Sequence, residues 1–126
     1  MHLTLHLTDR CNLACRYCYA RHGTSDMALA TALAAIDECT RGEENPGIIF
    51  FGGEPLLRED LVFDVIDECE RRAPHRFHYK VTTNGTLVTD AFLARAEAVR
   101  LHVPFLWYTI TRHARRLRTY RFWRWL

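Results

Sequence analysis

No stretch of the sequence approaches the roughly 20 consecutive apolar residues of a membrane span. The N-terminus, Met1-His2-Leu3-Thr4-Leu5-His6, lacks the basic start and apolar run of a secretory signal. These two absences predict a cytoplasmic protein without a membrane partner. Five cysteines are an odd number, three of them crowd into eight residues, and no second close pair exists. A disulfide framework and a zinc site built from two close cysteine pairs both fit poorly. Acidic residues stop at Glu97: eleven basic and fifteen acidic residues precede position 111, a net of −4, whereas six arginines and no acid follow it, a net of +6. The C-terminal stretch therefore differs in kind from the rest. What remains is the ordinary composition of one globular domain, 48% hydrophobic and 25% charged, in a chain too short for most enzymes with a separate substrate domain.

The hydropathy pattern alternates strand and helix. Leu3, Leu5 and Leu7 recur with period two through residues 3–8, which predicts a first strand with the leucines on one face. Ser25 or Asp26 offers a cap for a helix over residues 27–40, with Leu29, Leu33, Ile36 and Cys39 toward the core. Ile48-Ile49-Phe50-Phe51 reads as a strand buried on both faces. Leu61, Val62, Val65, Ile66 and Cys69 form a second helical stripe ended by Pro74, and Phe77-His78-Tyr79-Lys80-Val81 is a third strand candidate. Thr89 or Asp90 caps a third helix marked by Phe92, Leu93, Ala96 and Val99. Three βα units imply an α/β fold with a parallel sheet, whose functional groups gather at the carboxyl ends of its strands.

The unusual residues fall at those ends. Cys11, Cys15 and Cys18 follow strand one on a single loop. Thiolates are soft anionic ligands suited to iron–sulfur clusters, and three of them fill three corners of a four-iron cluster, leaving one iron for a non-protein ligand. His22 is positioned in sequence to complete a zinc site instead, and free thiols are the remaining alternative. Cys39 and Cys69 read as small core residues. After strand two comes Gly52-Gly53-Glu54-Pro55, two glycines for a sharp turn or close approach, a carboxylate and a stiff exit; an ordinary turn with an exposed glutamate is the plainer reading. Strand three ends in Thr83-Asn84-Gly85, a common turn pair that faces the same end of the sheet. His6 reads as a packed histidine, and Arg16 and Arg21 as solvated loop charges.

With Tyr17 just before the last cysteine, this pattern resembles the radical S-adenosylmethionine (SAM) superfamily. The combination Cys-Asn-Leu-x-Cys-x-Tyr-Cys-Tyr, Phe-Gly-Gly-Glu-Pro-Leu-Leu and Thr-Asn-Gly-Thr-Leu looks most like its SPASM-type branch of sulfatase-maturing enzymes and ribosomal-peptide maturases. The resemblance implies that Cys11, Cys15 and Cys18 hold a [4Fe–4S] cluster. It further implies that Tyr17, Gly52, Gly53, Glu54 and Asn84 contribute to SAM binding, with Tyr17 near the adenine and Gly52, Gly53 and Glu54 at the methionyl amino group. The implied activity is reductive cleavage of SAM to a 5′-deoxyadenosyl radical that takes hydrogen from a peptide or protein, with reduced flavodoxin or ferredoxin as electron donor.

The resemblance covers residues 2–103 and implies the N-terminal half of a partial (βα)6 TIM-like barrel, hence a truncated chain. A fourth strand is expected over residues 105–110. The Arg/aromatic stretch 104–126 reads as an out-of-frame product of a G·C-rich gene, in preference to a basic nucleic-acid-binding module. A non-catalytic iron–sulfur electron carrier is the alternative for the cysteines, though it leaves Gly52-Gly53-Glu54-Pro55 without a purpose. Half a barrel should expose an unpaired strand edge that favours association.

Overall fold

The structure, a computed structural model, describes residues 1–16 and 18–104. Tyr17, the strand expected over residues 105–110 and the rest of the basic stretch lie outside the described residues. The elements run β1 (His2–His6), α1 (Leu29–Cys39), β2 (Gly47–Phe51), a 3₁₀ turn (Pro55–Arg58), α2 (Glu59–Arg72), β3 (His78–Val81), α3 (Asp90–Ala98) and β4 (Leu101–His102). All strand pairs are parallel, in the order β1-β2-β3-β4. The three expected βα units are therefore present, and a fourth strand starts at Leu101, earlier than the sequence pattern indicates.

Strand alternation sorts the side chains onto two faces. Leu5 and Leu7 from the β1 segment, Ile48 and Phe50 from β2, Tyr79 and Val81 from β3 and Leu101 from β4 are buried with the apolar residues of the three helices. The other face carries His2, Thr4, His6, Ile49, Phe51, His78, Lys80 and His102, all exposed or half-buried. In a barrel the helices lie outside, so this polar face is the interior one. β2 is thus fully buried on the helix side alone, whereas Ile49 and Phe51 are partly open on the other.

α2 follows the expected stripe in full: Leu61, Val62, Val65, Ile66 and Cys69 are all buried. Glu59 and Asp60 in its first turn and Arg71 and Arg72 in its last oppose the helix dipole favourably. Thr89 caps α3 as expected, its hydroxyl accepting from the Phe92 amide at 3.1 Å. α1 departs from expectation. It starts at Leu29 with Ala28 as N-cap and no side-chain cap, because the Asp26 carboxylate is committed to Thr8 and Arg10 instead. Its burial concentrates in the middle turn, at Ala32 and Ile36, while Leu29 in the first turn is 36% exposed and Cys39 in the last is exposed. Cys39 is therefore no core residue, in contrast to Cys69 at 3% exposure. Among the described residues no helix is long and apolar enough to cross a membrane.

Phe50 is fully buried at the centre of the sheet. Phe50→Ala is expected to lower the unfolding free energy by about 3–5 kcal/mol, and Leu29→Ala by less than about 1 kcal/mol. Urea denaturation midpoints of the two variants check this, and equal losses would contradict the placement of the core.

Candidate metal and cofactor site

The β1–β2 ladder continues beyond both strands and so sets where the cysteine loop begins. Leu7 N–H donates to Phe51 O, Gly53 N–H to Thr8 O and Glu54 N–H to Arg10 O, each at 2.8 Å. The chain leading into Cys11 is therefore laid directly along Gly52 and Gly53. A Cβ at Gly52 would come within 2.6 Å of the Thr8 carbonyl oxygen, and its φ of +152° is one that L side chains rarely adopt. A Cβ at Gly53 would collide with the Arg10 carbonyl. Both glycines are required by this close passage of backbone.

Glu54 is 0% exposed. Its Oε1 accepts from the Leu56 amide at 3.0 Å and the Thr83 hydroxyl at 2.7 Å, and its Oε2 from the Asn84 amide at 2.8 Å. A buried carboxylate needs such donors to offset its lost hydration. The glutamate that reads in sequence as an exposed turn residue or a free ligand thus ties the end of β2 to the end of β3. Asn84 reaches onward: its Nδ2 donates to Asn12 Oδ1 at 2.9 Å, within the cysteine loop.

The return leg of that loop is pinned from below. Met27 N–H donates to Leu7 O at 2.8 Å and Asp9 N–H to Ser25 O at 2.9 Å, around an antiparallel bridge between Thr8 and Asp26. Asp26 accepts from the Thr8 hydroxyl at 2.5 Å and from Arg10 Nε and Nη2 at 3.1 and 2.7 Å, with Arg58 Nη1 at 3.3 Å. The Arg10 hydrogen bond, then that from Thr8, holds its carboxyl below the usual carboxylate range.

Within the loop, Cys11 and Cys15 are half-buried and Cys18 is exposed, all as free thiols, and Cys18 N–H donates to Cys15 O at 3.1 Å. Cys18 Sγ lies 3.7 Å from His22 Nε2. Among the described residues no three His, Cys, Asp or Glu side chains are gathered tightly enough for one metal ion. A tetrahedral zinc ion, with Zn–S near 2.3 Å, would draw its thiolates to within about 4 Å of one another. A four-iron cluster spreads its ligands over the corners of a cube. Three soft, unpaired thiols on one loop at the carboxyl end of the sheet are a donor set that fits it. Cys69 does not contribute: burial in the helix layer pushes its thiol up to about 11.

Cys11, Gly52, Gly53, Glu54 and Asn84, singled out from sequence, are brought together by these bonds, with Cys15 and Cys18 farther along the same loop. Tyr17 lies outside the described residues. Arg16 and Arg21 are exposed, as expected. His6 is exposed rather than packed, 3.2 Å from Asp9 Oδ1 and edge-on to Phe51. Tyr19, 81% exposed, stacks against Phe51 with centroids 6.5 Å apart. Sequence reasoning offers Asp26 only as a helix cap and assigns no role to Asn12, Thr83 or Thr86. Their only signal is that each is a small polar residue beside a strand end or a cysteine.

Glu54→Gln replaces one acceptor oxygen with an amide that faces a donor. The unfolding free energy is expected to fall by about 1–3 kcal/mol, measurable by denaturant titration; an unchanged value would contradict the three-donor arrangement. Asp26 has a folded pKa below its unfolded value near 3.8, so its contribution is complete above that pH and is lost as pH falls through the lowered folded value. The stability gap between the wild type and Asp26→Asn should accordingly be constant from pH 7 to 5 and close only below about pH 4. A gap that closes near neutrality would rule this out.

The radical SAM superfamily model matches residues 5–126. A protein of Methanocaldococcus jannaschii without an assigned function is 36% identical over 104 residues, covering 81% of this chain and 36% of its own length. A probable GTP 3′,8-cyclase of Methanocella arvoryzae is 39% identical over 101 residues, 78% of this chain and 30% of its own. The chain thus spans about a third of the length of the curated relatives it matches. In fold it superposes on native anSMEcpe, solved with bound AdoMet and the Cp18Cys peptide, with a TM-score of 0.68 and 22% identity over 82% of this chain and 30% of that one. The parallel sheet with its helices is accordingly the front part of the TIM-like radical SAM barrel. The chain belongs to the radical SAM superfamily, whose enzymes use a [4Fe–4S] cluster and SAM.

Proposed function

We propose that this chain carries the cluster- and SAM-binding part of a radical SAM enzyme, with Cys11, Cys15 and Cys18 as the three cluster ligands. The observation that carries the reading is the hydrogen-bonded union of the cysteine loop with the Gly52-Gly53-Glu54 turn and the Asn84 turn. When bound, the cluster would supply one electron that breaks a sulfonium C–S bond of SAM, giving methionine and a 5′-deoxyadenosyl radical able to take a hydrogen atom from a substrate. The chain's own residues hold and orient. The Gly53 and Glu54 amides are committed to the loop backbone, which leaves the glycine carbonyls as acceptors for the methionyl ammonium group. Glu54 and Asn84 serve the cofactor by fixing the two turns, and the family resemblance assigns Tyr17 to the adenine. Residues 1–103 form the unit that carries this site, and reduced flavodoxin or ferredoxin delivers the electron.

For the substrate, the motif combination supports a peptide or protein, and the fold neighbour was solved with a peptide. One observation favours a second reading, a nucleotide. His78, Lys80 and His102 cluster on the interior face, with Lys80 and His102 directly paired in register. Such a patch suits an anionic group, and several relatives are named GTP 3′,8-cyclase or probable GTP 3′,8-cyclase.

After anaerobic reconstitution with iron and sulfide, the wild type is expected to hold about four irons per chain and to release 5′-deoxyadenosine from SAM under dithionite. Cys11→Ala, Cys15→Ala and Cys18→Ala should each lose both properties. A chain that binds the cluster without forming 5′-deoxyadenosine would instead be an electron carrier, and one that binds no cluster would overturn the proposal. Weakened GTP binding in Lys80→Ala would select the nucleotide reading, and indifference to GTP the peptide one.

A further inference from the structure

Asn12 follows Cys11 directly and is exposed, yet its side chain is not free. Its Oδ1 accepts from Asn84 Nδ2 at 2.9 Å, and its Nδ2 donates to Thr86 Oγ1 at 2.8 Å. Thr86 Oγ1 in turn donates to Asn84 Oδ1 at 2.7 Å, which closes a three-membered ring of hydrogen bonds in which each group donates once and accepts once. Such cyclic arrangements reinforce each bond by polarisation. The ring is fastened to the backbone at two further points: Thr86 N–H donates to Asn84 Oδ1 at 3.0 Å, and Asn84 N–H to the buried Glu54 carboxylate at 2.8 Å.

We infer that Asn12 is a positioning residue of the cluster loop, held by Asn84 and Thr86 so that Cys11 and Cys15 are presented in a fixed geometry before any cofactor arrives. Three features carry this. The ring joins segments 72 residues apart in sequence, so no local turn requires it. It spans the part of the loop that the β1–β2 ladder leaves unsupported, since the last ladder bond ends at Arg10. Its members are exposed or half-buried polar groups, and such bonds add little to global stability, so their effect is local to the loop. Asn84 thereby acts on the site through Asn12. The inference rests on the proposed cluster ligation only for its consequence, not for the ring itself.

The test uses the full chain and two readouts. In the cluster-free protein, trypsin should cut after Arg16 several-fold faster in Asn12→Ala, Asn84→Ala and Thr86→Val than in the wild type, with the thermal midpoint unchanged. After reconstitution the same variants should hold less iron per chain and give an altered electron paramagnetic resonance line shape. Asn12→Asp keeps the acceptor for Asn84 Nδ2 but loses the donor to Thr86 Oγ1, so it should fall between the wild type and Asn12→Leu, which keeps neither. The Asn12→Ala/Asn84→Ala double variant should match either single one, because both break the same ring. Wild-type cleavage rates in the single variants, or additive effects in the double, would overturn the inference. If no form loads a cluster while the Arg16 cut still responds, the ring stands and the cluster proposal fails.

Discussion

The buried carboxylate of Glu54 is the constraint on which the rest of this site depends. A fully desolvated carboxylate is costly unless every side of it meets a donor, and here the Thr83 hydroxyl and the Leu56 and Asn84 amides meet it. Those donors come from two turns that share no local sequence, so satisfying the charge forces the ends of β2 and β3 together. The same turn receives the β1 extension through the Gly53 and Glu54 amides. The Glu54 side chain and these two backbone amides together fix the relative positions of three strand ends, and the cysteine loop inherits its placement from them.

This division of labour explains how a small chain holds a demanding site. The helix side of the sheet is an ordinary apolar core, and it makes the strand ends rigid without taking part in chemistry. The carboxyl ends carry the thiols, the glycine turn and the asparagine turn, each on short segments fixed by backbone hydrogen bonds. The other face of the sheet remains largely polar and exposed, with imidazoles and Lys80. Sites organised by a rigid scaffold and supporting hydrogen bonds keep their geometry when a cofactor binds.

Most of the fold was legible because its signals are local. The period-two leucines of β1, the α2 stripe and the Thr89 cap each follow from neighbouring residues. The sequence misplaces the start of α1, since Asp26 is drawn away from the helix by Thr8 and Arg10, which lie more than fifteen residues before it. The thiols and glycines stood out by type and spacing. The part of Glu54 did not, because a carboxylate at a turn reads as solvated until its donors are placed around it. Asn12 and Thr86 were hidden for the same reason: their ring closes across the sheet, and hydrogen bonds between distant turns leave no trace in periodicity.

Hydrogen exchange of the cluster-free chain tests most directly whether the site is built before its cofactors. Protection of the Gly53, Glu54 and Asn84 amides comparable to that of the β2 amides is expected, since each is bonded within the joined strand ends. Exchange of these three amides at the rate of an unfolded chain, while β2 stays protected, would contradict the account.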